Sequence, residues 1–321
     1  MSHTIPHEFP ILRWELTRNR LSRFSVACGM SRSEGTIHDD EEDARAVGLT
    51  EPIGYGMLSA AILSRAITDV IGAGNVRRLH TRFVRPAWVG ETLETHITAH
   101  GVKEMKDGVT ADLVCHVNTT TGEERVRGTA TITVPTVHLL EHARGQRGDP
   151  SHDEAEGPPG GGSLVVVERS AVANFANSVD ENNLAYFDVN VAKTNHPQIP
   201  APPTFGLDAT LQYWGQWREL QPERSAHDAM ELATTTLERL AGPGLIVHAE
   251  QLFEYRRPIY VGDVLLGTSK MGAPLTKVGR KGRLTFLDFR SRWSDYRTGD
   301  VVMTSCMTLV APREYETGST P

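Results

Sequence analysis

Cysteine is scarce in this chain of 321 residues: there are three thiols, Cys28, Cys115 and Cys306, odd in number and far apart. That argues against a disulfide framework, offers no C-x-x-C metal spacing, and fits a reducing compartment. Long apolar runs are missing as well. No stretch approaches the roughly 20 consecutive apolar residues that span a bilayer. Met1–Arg13 lacks a basic segment followed by an apolar one, so no secretory leader is expected, and the Asn118-Thr119-Thr120 sequon means nothing without export. Positive charge is not in excess, with 33 Lys and Arg against 40 Asp and Glu and a net charge of -7. A general nucleic-acid-binding surface is therefore not expected. Nucleophile motifs such as Gly-x-Ser-x-Gly are absent, and Gly72-Ala73-Gly74 reads as a helix end rather than a dinucleotide loop. These absences lead to an expectation of a cytoplasmic protein with no membrane, nucleic-acid or metal partner and no resident cofactor.

What is present is a sentence written twice. Phe83-Val84-Arg85-Pro86-Ala87-Trp88-Val89-Gly90-Glu91-Thr92-Leu93 recurs 172 residues later as Tyr255-Arg256-Arg257-Pro258-Ile259-Tyr260-Val261-Gly262-Asp263-Val264-Leu265. Solenoid units recur every 20–50 residues or so, so this period indicates a duplicated domain. Between the copies, Gly157-Pro158-Pro159-Gly160-Gly161-Gly162-Ser163 follows an acidic run. No Lys-Ser/Thr or helix signal follows these glycines, so they read as a linker rather than a phosphate loop. The expected division is a first domain over 1–138, a linker over 139–163 and a second domain over 164–316.

Each half reads alike. Pro52 to Ile71 has apolar residues all round its axis and predicts a helix buried on every side. Period-two alternation then predicts strands, with Val109, Ala111, Leu113, Cys115 and Val117 on one face. Val126, Ala130, Ile132 and Val134 share another. The second half predicts a helix at about Pro203–Leu220 and strands near 264–271, 283–293 and 300–310. Trp214 and Trp217, with Leu211 and Tyr213, read as core or pocket lining. An antiparallel sheet wrapped around a buried helix is the hotdog arrangement, so the expected class is α+β, a double hotdog. Gly54 and Ala201 correspond at an offset of 147, against 172 at the repeated motif. The second half thus carries 25 extra residues, assigned to an insertion at about 221–244. Its middle, Ala229 to Leu240, is either an extra helix over a site mouth or a neutral surface excursion.

The chemistry-bearing residues cluster in the first half: Gly35-Thr36-Ile37-His38-Asp39-Asp40, Ala44-Arg45-Ala46-Val47-Gly48-Leu49 and Pro52-Ile53-Gly54-Tyr55-Gly56-Met57-Leu58-Ser59. This pattern resembles the MaoC-like (R)-specific enoyl-CoA hydratase and 3-hydroxyacyl thioester dehydratase family. The second half, through Asn183-Leu184-Ala185-Tyr186-Phe187-Asp188 and Ala201-Pro202-Pro203-Thr204-Phe205, resembles the FAS1-like dehydratase partner domain of the same superfamily. The resemblance implies reversible hydration of a 2-enoyl thioester, carried on CoA or an acyl-carrier protein. It implies His38 as the catalytic imidazole, the Gly56 amide as oxyanion donor, and Ser59 and Tyr55 in the pocket. Asp39 and Asp40 read instead as the start of a short helix.

The acid departs from the family's pattern. Its place, six residues after Phe24, holds Met30, and three residues are added around Ser31-Arg32-Ser33. Glu34, four before His38, is either a displaced acid or a solvated loop residue. Tyr55 stands where the family has a second histidine, and Glu181 and Tyr186 occupy the acid and histidine places of the second half, read as a structural partner. Arg85 and Arg257 either contact a CoA phosphate or serve the fold. The sequence therefore supports a lyase first, with a non-catalytic acyl-CoA-binding protein as the alternative and a hotdog thioesterase behind both. A monomer that is its own pseudo-dimer, or a homodimer, fits the duplication.

Overall fold

A computed structural model describes residues 5–29, 36–135, 163–206, 226–279 and 282–314. The first half runs β1 (Arg13–Glu15), α1 (Arg18–Ala27), α2 (Glu41–Ala46), α3 (Gly56–Ile71), β2 (Val76–Phe83), β3 (Thr92–Met105), β4 (Gly108–Thr119) and β5 (Glu124–Pro135). The second runs β6 (Ser163–Val166), α4 (Arg169–Ser178), a 3-10 turn Leu184–Tyr186, α5 (Val189–Ala192) and a 3-10 turn Pro203–Gly206. It continues with α6 (Ala226–Ala241), β7 (Val247–Tyr255), β8 (Val264–Met271), β9 (Leu275–Gly279), β10 (Gly282–Asp295) and β11 (Val301–Glu314).

The strands form one antiparallel sheet in the order β1-β3-β4-β5-β2-β7-β11-β10-β8-β6, with β9 paired to β10. The order reads the same from either end, as two copies related by a twofold would give. The copies meet at β2 and β7, where Arg78 to Arg82 pair with Glu254 to Glu250. Across that seam Arg78 meets Glu254 at 3.5 Å, while His80 and Arg82 share Glu250 at 3.0 and 2.9 Å.

α3 lies across the concave face, and twelve of its sixteen residues are buried, from Met57 through Ile71. Burial of each large apolar side chain is worth about 1.5–3 kcal/mol, so this helix anchors the core. It stops where Gly72 takes a left-handed φ of 84° and the Asn75 amide donates to the Ile71 carbonyl at 2.6 Å. In the second half only the turn Pro203–Gly206 of the expected helix is described; 207–225, with Trp214, Trp217, Leu211 and Tyr213, lie outside the described residues, as does the linker before Ser163.

The repeated sentence is a structural latch. In the first copy Gly54 N donates to Ala87 O at 2.7 Å and Ile53 bridges Trp88; in the second Ala201 N donates to Ile259 O at 2.8 Å and Pro200 bridges Tyr260. Each copy so fixes the segment that starts the next helix or turn. Gly90 and Gly262 make the turn at φ near 90°, which a Cβ would disfavour. The acid then closes it: Glu91 accepts from Trp88 N at 3.0 Å, and Asp263 from Tyr260 N at 2.8 Å. The counter-cation differs, since Glu91 pairs with buried Arg125, whereas Asp263 pairs with Arg257 of the motif itself at 2.7 Å.

The insertion is not a surface excursion. α6 buries Ala233 and Leu237 against Leu287, Phe289, Met307, Leu309 and Ala311 of β10 and β11. Its C-terminus is held by Arg313, which donates to Ala241 O at 3.1 Å, to Leu245 O at 2.8 Å and to Gly242 O.

Candidate active site

His38 sits in the turn before α2. Ile53 N donates to Ile37 O at 3.1 Å, so the turn is tied to the segment entering α3. The ring nitrogen Nδ1 lies 2.8 Å from Ile53 O. A carbonyl oxygen only accepts, so Nδ1 carries the proton and Nε2 presents a lone pair. Burial lowers the His38 pKa, opposed by the Ile53 bond and by the charge of Asp39. A neutral imidazole of fixed tautomer, with Nε2 left as an acceptor, results.

The neighbours hold that ring in place. Tyr55 lies against it with ring centroids 3.8 Å apart at 32°. The Tyr55 phenol donates to buried Ser25 at 3.2 Å, and burial raises its pKa. Thr36 N and Oγ1 both donate to Asp39 Oδ1, at 2.7 and 2.8 Å, and Thr36 Oγ1 accepts from His38 N at 3.2 Å. Asp40 caps α2 through Glu42 N and Asp43 N, at 2.7 and 2.9 Å. The two aspartates after His38 are thus turn and cap residues, as expected from the sequence.

Tyr55 is also the residue before α3 and supplies no side-chain cap. The amides of the first helical turn have no partner within the helix, so Gly56 N–H is a donor at the positive end of the helix dipole. Phe83 packs on Gly56 so closely that a Cβ there would come within 2.8 Å of the ring. Ser59 is buried one turn along. The structure therefore sets His38 against Tyr55, the residue before Gly56, with Ser59 buried one turn along α3. Met30 and Glu34 lie outside the described residues.

The two motif arginines differ. Arg257 is held by Asp263 at 2.7 Å and by Asp295 at 3.2 Å, a pairing that serves the latch. Arg85 is exposed on the strand exit, its latch role having passed to Arg125.

Among the described residues the second half offers no equivalent site. Pro203 stands at the Gly56 position and has no N–H to donate. Tyr255, at the Phe83 position, donates its phenol to Pro203 O. Tyr186, at the His38 position, is wholly buried against Thr68 of α3 and Glu181. The sequence carries this difference in Pro203 itself, which stands where the first half has Gly56. Among the described residues no three His, Cys, Asp or Glu side chains gather as metal ligands. A cavity of about 410 Å³ between the halves, lined by Trp14, Arg20, Ile62, Arg65 and Asp180, does not include His38.

Residues 34–120 match the MaoC like domain, and residues 159–305 match the FAS1-like, dehydratase domain region. A UPF0336 protein of Streptomyces coelicolor is 32% identical over 146 residues, 45% of this chain and 83% of the relative. An (R)-specific enoyl-CoA hydratase of Rhodospirillum rubrum is 29% identical over 109 residues, 33% of this chain and 74% of its own. Among solved structures, a Mycobacterium tuberculosis protein with a double hotdog fold superposes with a TM-score of 0.56 at 14% identity, covering 94% of this chain and 96% of that one.

Proposed function

From a chain that belongs to the MaoC-like dehydratases, with a FAS1-like dehydratase region as its second half, we propose a lyase that adds water reversibly to a 2-enoyl thioester. The observation that carries this reading is the neutral His38, its Nδ1 tied to Ile53 O and its ring against Tyr55, the residue before α3. The acyl group rides on CoA or on an acyl-carrier protein, and no resident cofactor is required.

The thioester oxygen is held at the Gly56 amide, where charge develops as water adds. Nε2 of His38 takes a proton from that water as its oxygen bonds to the β-carbon. The electron pair of the double bond moves to the thioester as an enolate, stabilised by the amide and the helix dipole. The α-carbon then takes a proton from the protonated carboxyl of the second carrier on the same face, completing a syn addition, and the proton held on His38 returns to that carboxylate to close the cycle. Glu34 is the proposed second proton carrier, its longer side chain replacing the acid absent at Met30. Ser59 and Tyr55 line the pocket, and Arg85 is the proposed contact for a carrier phosphate.

His38→Ala is expected to lower kcat by about 10²–10⁴-fold with less effect on KM, the usual span for an acid–base group. Turnover of a panel of enoyl-CoA and enoyl-carrier-protein substrates tests it. If both His38→Ala and Glu34→Gln leave turnover unchanged, the site assignment is wrong. Met30 at the acid's position favours a second reading, an acyl-thioester binding protein without catalysis. Tight CoA-ester binding with no hydration across the panel would decide for it.

A further inference from the structure

At the far end of α3 the two halves meet around Gly74. The helix has 16 residues, about 24 Å at 1.5 Å per residue, so this place is well away from Gly56. The Gly74 carbonyl accepts from Arg77 Nη1 at 2.7 Å. On the other side, a Cβ on Gly74 would come within 2.7 Å of His196 Cε1 and 3.1 Å of Pro258 Cγ, so two second-half rings pack on its backbone. The His196 ring is bonded to the Ala73 carbonyl and lies 6.1 Å from the Tyr260 ring, over which Arg257 sits at 5.9 Å. One cluster thus joins Arg77 of the first half to His196, Tyr260 and Arg257 of the second.

Within it Arg77 has no counter-ion. It is half-buried, its bonds go to the Gly74 and Val76 carbonyls, and no carboxylate pairs with it among the described residues. Asp263 and Asp295, the carboxylates on this side, hold Arg257. A cation drawn out of water without a counter-charge is costly, and burial lowers the Arg77 pKa. Nε and Nη2 of Arg77 and the Tyr260 hydroxyl meet no acceptor among the described residues, and none of these atoms is sealed from solvent. Arg77 and Tyr260 also lie within electrostatic reach of each other. Open donors and an unbalanced positive charge therefore share one place on the seam.

The fold does not ask for these groups. Arg77 is the unpaired residue of a bulge in β2, between Val76, which pairs with Ile132, and Arg78, which pairs with Thr131. β7 has the same bulge in the same place, at Ala249 between His248 and Glu250. The 172-residue offset sets Ala249 opposite Arg77 and Trp88 opposite Tyr260, while Gly48-Leu49 stands opposite His196. The same backbone is built once with the guanidinium, phenol and imidazole and once without them.

We propose that Arg77 and Tyr260 form a phosphate site on the seam between the halves, which takes inorganic phosphate or a phosphate monoester. The Nε–Nη2 edge of a guanidinium is a fork that meets two phosphate oxygens, and the phenol hydroxyl donates to a third. The phosphate has two sources, the free anion or the nucleotide end of a CoA carrier. This goes beyond the hydration reading and does not depend on it, because neither form need carry an acyl group.

Calorimetric titration in phosphate-free buffer compares inorganic phosphate with adenosine 3′,5′-bisphosphate, the nucleotide end of CoA, and uses adenosine as the uncharged control. Both phosphates are expected to bind wild type and to raise its unfolding midpoint, and adenosine to do neither. Arg77→Met is expected to weaken phosphate by about tenfold or more, and Tyr260→Phe by about threefold. Arg78→Met, which removes the neighbouring arginine, leaves affinity within about twofold. Bisphosphate bound on the order of tenfold more tightly than phosphate identifies the carrier as the source, and equal affinities identify the free anion. Unchanged affinity in folded Arg77→Met overturns the proposal; where that variant does not fold, unchanged affinity in Tyr260→Phe overturns it. A wild type that binds neither phosphate below about 10 mM overturns it as well.

Discussion

Tyr55 does two things with one side chain: its ring lies on His38 and its hydroxyl holds Ser25. Tyr55→Phe separates them. The stack survives, so turnover is expected within a few-fold of wild type, while the lost hydrogen bond costs about 1 kcal/mol of stability. Thermal unfolding and steady-state rates on the same samples check both. Because burial lowers the His38 pKa and the base must be neutral, kcat/KM is expected to hold above pH 6.5 and to fall only in more acid solution. A profile that falls already at neutral pH contradicts the neutral tautomer. His38 and Gly56 were legible through the family resemblance, and they lie in a turn and at a helix start, which keep fixed distances along the chain. Spacing does not reveal the bulge that leaves Ala249 of β7 unpaired, because that depends on register with a strand about 60 residues away.

At the scale of the element, the doubled motif was legible as a repeat, but its purpose was not. Its arginine was a candidate for phosphate, yet in the second half it closes a turn on Asp263. In the first half that duty falls to Arg125, outside the motif, with 6% side-chain exposure. Arg125→Ala strands Glu91 and is expected to cost about 3–5 kcal/mol, whereas exposed Arg85→Ala is expected to cost less than about 0.5 kcal/mol. Denaturant unfolding of the two variants compares them directly. The strands were readable from alternation, since one face of each is core. α6 was harder: its buried pair, Ala233 and Leu237, is a thin apolar stripe, and the surface it covers comes from β10 and β11 much later in the chain.

At the scale of the whole molecule, the halves enclose charge as well as apolar surface. Glu181, 7% exposed, lies between them near Asp69 and Arg65, and burial pushes its pKa up to about 8. The folded state therefore holds a proton that the unfolded chain, with a glutamate pKa near 4.5, gives up. This contribution is fully present below about pH 4.5 and is lost as pH rises through about 8. Glu181→Gln is expected to flatten that loss and to stabilise the protein at pH 8–9 by on the order of 1–3 kcal/mol. Unfolding midpoints across pH 5–9 measure it; identical slopes in both proteins would refute it.

The sheet itself has a further consequence. Its ordered path ends on β1 and β6, strands of three and four residues, with His7 and Phe9 continuing the cover along β3 through Ala99 and Ile97. Thr92 to Ala99 of β3 and Val264 to Gly267 of β8 therefore do not lie bare, which shortens the unpaired ladder left to recruit a neighbouring molecule. Two short strands, each with one side chain in the core, act as terminators, letting the fold double its sheet without starting a polymer.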